Sequence, residues 1–315
     1  MKKIQKIAAL FLAAILLSSC SLPGLSSGFN EEGITITGGS TTEQQIAGYI
    51  VEGMVEHYID IDAQIVNNLG SSSLNHQALI GGDANVAAIK YTGTSLTGEL
   101  GQDPITDPEV ALDLVVEGFA AEFDQKWFPT YGFANTYAFM VTQELADQYD
   151  LVTISDLEDI AGELDAGVDT SWIQRVGDGY DAFLDTYGFD FNRVYPMQIG
   201  LVYNALQAGE MDVVLGYSTD GRIKSYDLVV LEDDKQLFPP YDASPVATFD
   251  VLEAYPELDK VLTKLKGTIS DEKMQELNYI SDNNLIEPKI VANDFLKENN
   301  YFESVEVSEE GGEQE

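Results

Sequence analysis

Cysteine, histidine and basic residues are scarce in this chain of 315 residues. It contains one Cys and two His, which excludes a framework of disulfide bonds and a zinc site built from Cys and His. Lys and Arg number 16 against 54 Asp and Glu, so the formal net charge is −38. Such a chain repels phosphate, which argues against nucleic acid and anionic membrane surfaces as electrostatic partners.

Sequence motifs for cofactor binding and catalysis are also missing. No P-loop, no G-x-G-x-x-G after a predicted strand and no D-x-D-x-D-G calcium loop is present, so we expect neither a cofactor nor a metal. His57 and His76 have no nearby G-x-S-x-G motif and are interpreted as structural or solvent-facing. A hydrolase that uses two carboxylates stays open, because acidic residues are too abundant for any pair to be informative.

The one Cys closes a segment typical of exported proteins. Three lysines precede an apolar run over residues 7–17. That run is shorter than the roughly 20 residues of a membrane-spanning helix and fits the core of a signal peptide. The following LSSC, residues 17–20, resembles a bacterial lipobox. We predict a lipoprotein signal peptide over 1–19 and a lipid on Cys20 that anchors the protein at the extracytoplasmic face of the cell membrane. The alternative is an ordinary secretory signal.

Both ends of the mature chain differ from its body. Residues 20–33 are rich in Ser and Gly and are predicted to form a flexible tether. The acidic residues 303–315 are predicted to be disordered. Apolar residues make up 44% of the chain, enough for a sizeable core, and the length suits about two domains.

From residue 34 onward, short apolar runs alternate with helical patterns. Strands are predicted at 34–38, 85–90, 136–141, 164–168, 212–217 and 227–231. Helices are predicted at 42–58, from Asp107-Pro108 onward, after Ser155, from Asp178 to Tyr187, and at 198–208, 248–254, 257–265, 271–280 and 288–298. Ser40 to Glu43 matches a capping box for the first helix. This alternation predicts α/β lobes with parallel sheets, in which ligands lie beyond the carboxyl ends of the strands.

Four tyrosines stand where an apolar strand or a proline pair gives way to a loop. They are Tyr91, Tyr137, Tyr217 and Tyr241. Tyrosine is also a common residue at the boundary of a core, and that alternative stays open at this point. The three arginines, Arg175, Arg193 and Arg222, are interpreted as anchors of the second lobe, with a contact to ligand or transporter as the alternative.

Several long motifs resemble one known family. YTGTSLTGE at 91–99, NTYAF at 135–139, VLGYSTDGRI at 214–223 and FPPYDAS at 238–244 are similar to the osmoprotectant-binding lipoproteins of ABC transporters, the glycine betaine/carnitine/choline group. The resemblance covers roughly residues 34–300. It implies a type II periplasmic-binding-protein fold, in which two α/β lobes joined by two crossovers hold the ligand in a cleft. Residues 34–132 with 240–302 would form one lobe and 133–239 the other.

The resemblance also implies a binding site. The family's aromatic cage matches the four tyrosines above, Thr94 matches a residue near the polar end of the ligand, and Asn135 lies in a motif close to the site. Many relatives carry a glutamine that contacts the ligand carboxylate where this chain has Gly39, so Ser40, Thr41, Thr42 and backbone amides would have to replace it.

The family's function then implies the ligand and the partners. We expect an extracytoplasmic receptor, monomeric and not an enzyme, that delivers glycine betaine first, then carnitine and choline, to a membrane permease. Receptors for another cation or an amino acid, an exported hydrolase and a surface adhesin remain as alternatives.

Overall fold

The computed structural model describes residues 33–175 and 177–302, and the predictions for the signal peptide, Cys20, almost the whole tether and the acidic tail lie outside those ranges. The strands of the described chain form two five-stranded sheets, ordered β2-β1-β3-β10-β4 and β7-β6-β8-β5-β9. The first sheet contains β1 (Thr35–Gly39), β2 (Gln64–Leu69), β3 (Val86–Tyr91), β4 (Gln125–Trp127) and β10 (Ala243–Thr248). The second contains β5 (Tyr137–Thr142), β6 (Asp165–Asp169), β7 (Arg193–Met197), β8 (Val213–Tyr217) and β9 (Leu228–Val230).

Helices pack on both sheets. Those before the first crossing to the second sheet are α1 (Thr42–Ile59), α2 (Ser72–Gly81), α3 (Thr92–Gly98) and α4 (Pro108–Phe123). Between the two crossings lie α5 (Gln143–Tyr149), α6 (Thr170–Ile173), α7 (Tyr180–Tyr187), α8 (Ile199–Gln207) and α9 (Gly221–Ser225), with short 3-10 helices at Ile154–Leu157 and Ala161–Glu163. After the return follow α10 (Phe249–Ala254), α11 (Glu257–Thr263), α12 (Asp271–Asp282) and α13 (Pro288–Glu298). Across the described ranges, no helix combines the length and the apolar character needed to cross a lipid bilayer.

Each sheet has its own core, so the prediction of two α/β lobes is confirmed. We call the first sheet with its helices the first lobe and the second sheet with its helices the second lobe. In the first lobe, Ile36, Ile46 and Val86 are buried together between sheet and helices. In the second, Phe139 packs against the rings of Trp172 and Phe183.

The prediction of parallel sheets is wrong for two strands. β10 runs antiparallel to β3 and β4, and β5 runs antiparallel to β8 and β9. These are the first strands after each crossing between the sheets. They start at the edge where their neighbours end: Ala243 pairs with Tyr91, and Tyr137 pairs with Tyr217. The strands that end at this edge and the antiparallel strands that start there therefore both place a tyrosine or its neighbour at the same edge of the sheet.

The chain passes between the sheets twice, through residues 128–136 and 231–242. The two passages lie side by side, because Ala134 and Asp242 form a β-bridge and the Asn135 amide donates to the Tyr241 carbonyl at 3.2 Å. Paired strands of this kind join the two lobes by a narrow double connection.

Several elements differ from their sequence predictions. The strands β2, β4, β7 and β10 and the helices α2, α3, α5, α6 and α9 were not predicted. Ser155 does not cap the helix after it, because Thr153 holds that position and accepts from the Asp156 amide. Asp178 does not cap α7 either: its carboxylate accepts from Arg175 instead, and Gly179 precedes the helix. Asp107 does cap α4, as predicted.

Candidate functional site

One cavity of about 390 Å³ lies where the carboxyl ends of both sheets meet the two crossings. It is lined by Thr41, Gln44, Tyr91, Thr94, Thr97, Gly98, Asn135, Tyr137, Arg175, Tyr217 and Tyr241. All of the sequence-predicted ligand residues except Ser40 and Thr42 therefore line this cavity. Sequence reasoning did not select Gln44 and assigned Arg175 to a structural role.

The four tyrosines reach this cavity from both lobes. Tyr91 ends β3 in the first lobe, and Tyr241 lies in the second crossing just before β10. Tyr137 begins β5 and Tyr217 ends β8, so these two are cross-strand neighbours in the second lobe, with ring centroids 5.2 Å apart. Tyr137 is buried, whereas Tyr217 keeps 40% of its surface exposed. Tyrosines from both lobes thus line one cavity.

Two of these tyrosines donate their hydroxyls to buried carboxylates. The Tyr137 hydroxyl donates to Asp169 Oδ2 at 2.7 Å, and the Tyr91 hydroxyl donates to Glu43 Oε1. Asn135 Nδ2 donates to the same Glu43 oxygen at 2.9 Å. Burial raises the pKa of Tyr91 well above its ordinary value, and the neighbouring Glu43 raises it further. Both phenols are therefore neutral donors.

Arg175 forms an ion pair with Asp178 within the second lobe, as predicted, and also contacts Tyr241 in the second crossing. Its Nε and Nη2 donate to the Asp178 carboxylate, at 2.9 and 2.6 Å for the closest oxygen of each, and Nη2 also donates to the Tyr241 hydroxyl at 2.9 Å. Its guanidinium carbon lies 5.6 Å from the centroid of the Tyr137 ring. The hydrogen bonds to Asp178 raise the pKa of Arg175, so the guanidinium is a permanent cation at the cavity wall.

Gln44 occupies the space that a side chain at position 39 would need. A Cβ atom on Gly39 would lie 1.7 Å from Gln44 Oε1. That oxygen accepts from the Ser40 and Thr41 amides at 3.1 and 3.4 Å, and the Thr41 hydroxyl accepts from the Gln44 amide. The capping box therefore consists of Thr41 and Gln44, not Ser40 and Glu43. Two of the backbone amides that were expected to contact a ligand carboxylate, those of Ser40 and Thr41, therefore donate to Gln44 in this structure.

Two hydrogen bonds and one close backbone contact hold α3, which carries Thr94, against the second crossing. The Thr92 hydroxyl donates to the Pro240 carbonyl at 2.9 Å and accepts from the Asp242 amide at 3.1 Å. At Gly93 a Cβ atom would lie 2.7 Å from the Pro240 carbonyl oxygen and 3.1 Å from the Tyr241 ring. Only a glycine allows this approach, and Tyr241 is thereby held beside Thr94.

A second interlobe contact lies on the far side of Glu43. Gln275 and Asn278 of α12 donate to the carbonyls of Ser218 and Thr219, each at 2.8 Å. These carbonyls follow Tyr217 in the loop after β8. The first lobe therefore holds the loop that carries one of the tyrosines.

Another cavity of about 390 Å³ lies against the crossings. Its walls include Phe238, Pro239 and Pro240, and it shares Tyr137 and Tyr241 with the first cavity. In the part of the chain that the structure describes, acidic, His and Cys side chains do not gather in groups of three or more that could hold a metal ion.

Comparison with known proteins gives a consistent class. Residues 32–298 match the family described as the substrate-binding domain of ABC-type glycine betaine transport systems. The carnitine transport binding protein OpuCC of Listeria monocytogenes is 53% identical over 294 residues, which cover 93% of this chain and 95% of that protein. The ergothioneine transport permease/ergothioneine binding protein EgtU of Helicobacter pylori is 33% identical over 291 residues, covering 92% of this chain and 51% of that protein.

A solved structure agrees with these relatives. The crystal structure of a glycine betaine/carnitine/choline ABC transporter shares 52% sequence identity and superposes with a TM-score of 0.84, covering 86% of this chain and 100% of that one. Two lobes around a cleft define the class as a solute-binding protein. The chain belongs to the family of substrate-binding proteins that serve ABC importers of the glycine betaine type.

Proposed function

We propose that the cavity binds one quaternary ammonium solute, with preference for one that also carries a carboxylate, and that the protein delivers it to its permease. Glycine betaine is the first candidate, followed by carnitine and choline. The observation that carries this proposal is that four tyrosines from both lobes line one cavity. The names of the relatives, which include carnitine, glycine betaine and choline, support the same class of ligand.

Tyrosine faces suit the cationic end of such a solute. A trimethylammonium group has a full charge but no N–H, so hydrogen bonds cannot hold it. A carboxylate that touched it would have to be desolvated, whereas an aromatic face offers negative electrostatic potential without that cost. Each desolvated contact contributes about 0.5–2 kcal/mol, and burial of the methyl groups adds to this. A micromolar dissociation constant needs about 8 kcal/mol, which four faces and a few hydrogen bonds can supply.

Arg175 suits the carboxylate end of such a solute. It is the one cationic side chain among the described residues that line the cavity. A guanidinium matches the geometry of a carboxylate, and Gln44, Thr94 and Thr97 supply further polar groups. We propose that Arg175, rather than the amides at the start of α1, pairs with the ligand carboxylate. The order of betaine before choline follows, because choline has no carboxylate.

Calorimetric titration tests the proposal. The parent protein is titrated with glycine betaine, carnitine, choline, ergothioneine and proline. Tyr217→Ala should weaken glycine betaine binding by about 1–3 kcal/mol through lost cation–π and packing energy. Tyr149→Ala is the matched control, since Tyr149 lies in the same lobe and is 42% exposed but does not line the cavity. A parent that binds none of the quaternary ammonium compounds, or two variants with equal affinity, would refute the proposal.

The location of the protein is part of the same proposal. A receptor for an importer works at the extracytoplasmic face of the membrane, and we propose that a lipid on Cys20 anchors it there as a monomer. Cys20→Ala should abolish labelling by a radioactive fatty acid and leave the protein unprocessed or released into the medium. A labelled Cys20→Ala protein would contradict the anchor while leaving the ligand assignment intact.

A further inference from the structure

Two buried carboxylates stand directly behind the tyrosines of the cavity. Glu43, near the start of α1, is 3% exposed, and Asp169, at the end of β6, is 5% exposed. Neither is among the residues that line the cavity. Each instead accepts the hydroxyl hydrogen of a tyrosine that does line it, Tyr91 and Tyr137 respectively. One pair belongs to each lobe.

We infer that Glu43 and Asp169 set the negative potential of the cavity by polarising the rings of Tyr91 and Tyr137, and so favour cationic ligands. This inference rests on the proposed function. A hydroxyl that donates to a carboxylate forms a charge-assisted hydrogen bond, which moves electron density from the O–H bond into the ring. The ring face then attracts a cation more strongly. The carboxylate also acts through space, because the interior screens charges less than water does.

The arrangement avoids a direct ion pair. A carboxylate in contact with a trimethylammonium group would lose water and gain no hydrogen bond in return. Behind a tyrosine, the same carboxylate keeps one hydrogen bond from the phenol and still faces the cation across the ring. Glu43 has a second donor in Asn135, so two hydrogen bonds converge on its Oε1. Burial raises the pKa of Glu43, and the hydrogen bonds from Tyr91 and Asn135 offset part of that rise by favouring the ionised form.

Tyr241 has a hydroxyl partner of the opposite charge. The Tyr241 hydroxyl accepts from Arg175 rather than donating to an acid. Negative backing therefore lies behind Tyr91 and Tyr137, whereas the positive Arg175 lies beside Tyr241 and 5.6 Å from the centroid of the Tyr137 ring. A zwitterion suits this cavity, with its ammonium among the rings and its carboxylate toward the arginine.

The test compares glycine betaine with tert-butylacetate, which has the same shape and carboxylate but an uncharged tert-butyl group. Calorimetry gives the affinity for betaine, and competition against betaine gives that for tert-butylacetate. Glu43→Gln and Asp169→Asn should each weaken betaine about three- to tenfold, within the range of one cation–π contact, and should not weaken tert-butylacetate. Tyr91→Phe and Tyr137→Phe break the same bonds from the ring side and should lower the betaine preference as well.

Asp190→Asn is the matched control, because Asp190 accepts from the Tyr180 hydroxyl in the second lobe and neither residue lines the cavity. It should leave both affinities unchanged. Equal loss of both ligands in the Glu43 and Asp169 variants would show a structural role and overturn the inference, as would unchanged betaine binding in both. If the parent itself binds no betaine, the proposed function fails instead, so the two failures are distinguishable.

Discussion

At the scale of single residues, Glu43 links stability to pH. Burial raises its pKa above the ordinary value of 4.5, and its hydrogen bonds offset this only in part. Above about pH 4.5 the unfolded chain has released a proton that the folded protein still holds, so the free energy of unfolding falls as the pH rises toward the folded-state pKa. Glu43 therefore contributes most to stability on the acidic side of this window.

Glu43→Gln should flatten this part of the pH profile. A glutamine has no proton to release, and its amide can still accept from Tyr91 and Asn135. We expect the variant to be at least as stable as the parent near neutral pH, although it binds betaine less tightly. Urea unfolding at pH values across the window measures this. A variant whose stability falls with pH as steeply as that of the parent would contradict the pKa assignment.

Thr94 is predicted to influence whether the protein prefers ligands with a carboxylate or ligands with a hydroxyl group. It lines the cavity as a neutral hydroxyl, which tolerates either a carboxylate or an alcohol. Thr94→Asp places a like charge beside a ligand carboxylate and should weaken glycine betaine and carnitine at least tenfold more than choline, about 1.4 kcal/mol. Thr94→Asn is the uncharged control. Equal losses for all three ligands by calorimetry would assign Thr94 a structural role only.

The tyrosines could be predicted from sequence because each marks the end of a strand or of a proline pair within a recognisable motif. Gln44 and Arg175 could not. Gln44 reads as an ordinary position on α1, and its role depends on the space left by Gly39. Arg175 meets Tyr241 only after the chain has folded into two lobes and returned. A contact between residues that are far apart in the chain, such as this one, produces no local sequence pattern.

At the scale of secondary-structure elements, a buried ion pair supports the strand and helix that carry Tyr91 and Thr94. Lys90 precedes Tyr91 in β3, and Glu99 follows α3; their side chains are 1% and 4% exposed, with Nζ 3.1 Å from Oε1. Burial lowers the pKa of Lys90, whereas its charge lowers the pKa of Glu99 despite burial. The pair thus ties both ends of this segment together.

Replacing one residue of the Lys90–Glu99 ion pair should destabilise the protein far more than replacing both. Glu99→Leu leaves an unpaired buried ammonium and should cost about 3–5 kcal/mol of stability. The double variant Lys90→Met with Glu99→Leu should recover much of that loss, because no unpaired charge remains. Chemical denaturation of the parent, both single variants and the double variant gives the cycle. Equal stability of Glu99→Leu and the parent would show that the pair does not hold the segment.

Gly93 gives a second prediction for the same segment. A methyl group there would meet the Pro240 carbonyl and the Tyr241 ring, so Gly93→Ala must move Tyr241. We expect it to weaken betaine binding about tenfold or more through loss of one aromatic contact. Gly200→Ala is the control, since no atom lies within 4 Å of a Cβ at that position and Gly200 does not line the cavity. Unchanged affinity in Gly93→Ala would show that Tyr241 is not part of the site.

Strands with a run of apolar residues could be predicted, including β9 at the edge of its sheet, whereas β2, β7 and β10 could not. β3 and β5 are almost fully buried apolar runs, which give a clear signal. β2 and β7 lie at the edges of their sheets, are half-exposed, and contain polar residues or Pro196. β10 contains Pro245 and directly follows the second crossing, so its pattern merges with the helices after it. Strand direction depends on the crossings, which periodicity does not reveal.

At the scale of the whole molecule, the two lobes share the site and therefore their arrangement controls affinity. Asn278 of α12 holds the loop after Tyr217 from the opposite lobe but does not line the cavity. Asn278→Ala should weaken betaine binding several-fold, about 1 kcal/mol for a lost hydrogen bond, by loosening the contact between the two lobes. Asn293→Ala, on the neighbouring α13, is the control. Identical affinities in the two variants would show that this contact does not act on binding.

The central claim is that one quaternary ammonium group lies among tyrosines from both lobes. A crystal structure of the complex with glycine betaine tests it most directly. We predict that the ammonium nitrogen lies within about 6 Å of the ring centroids of Tyr91, Tyr137, Tyr217 and Tyr241, with the carboxylate toward Arg175. A betaine molecule in the neighbouring cavity beside Phe238 and Pro239, or one whose ammonium contacts rings of a single lobe, would contradict the account.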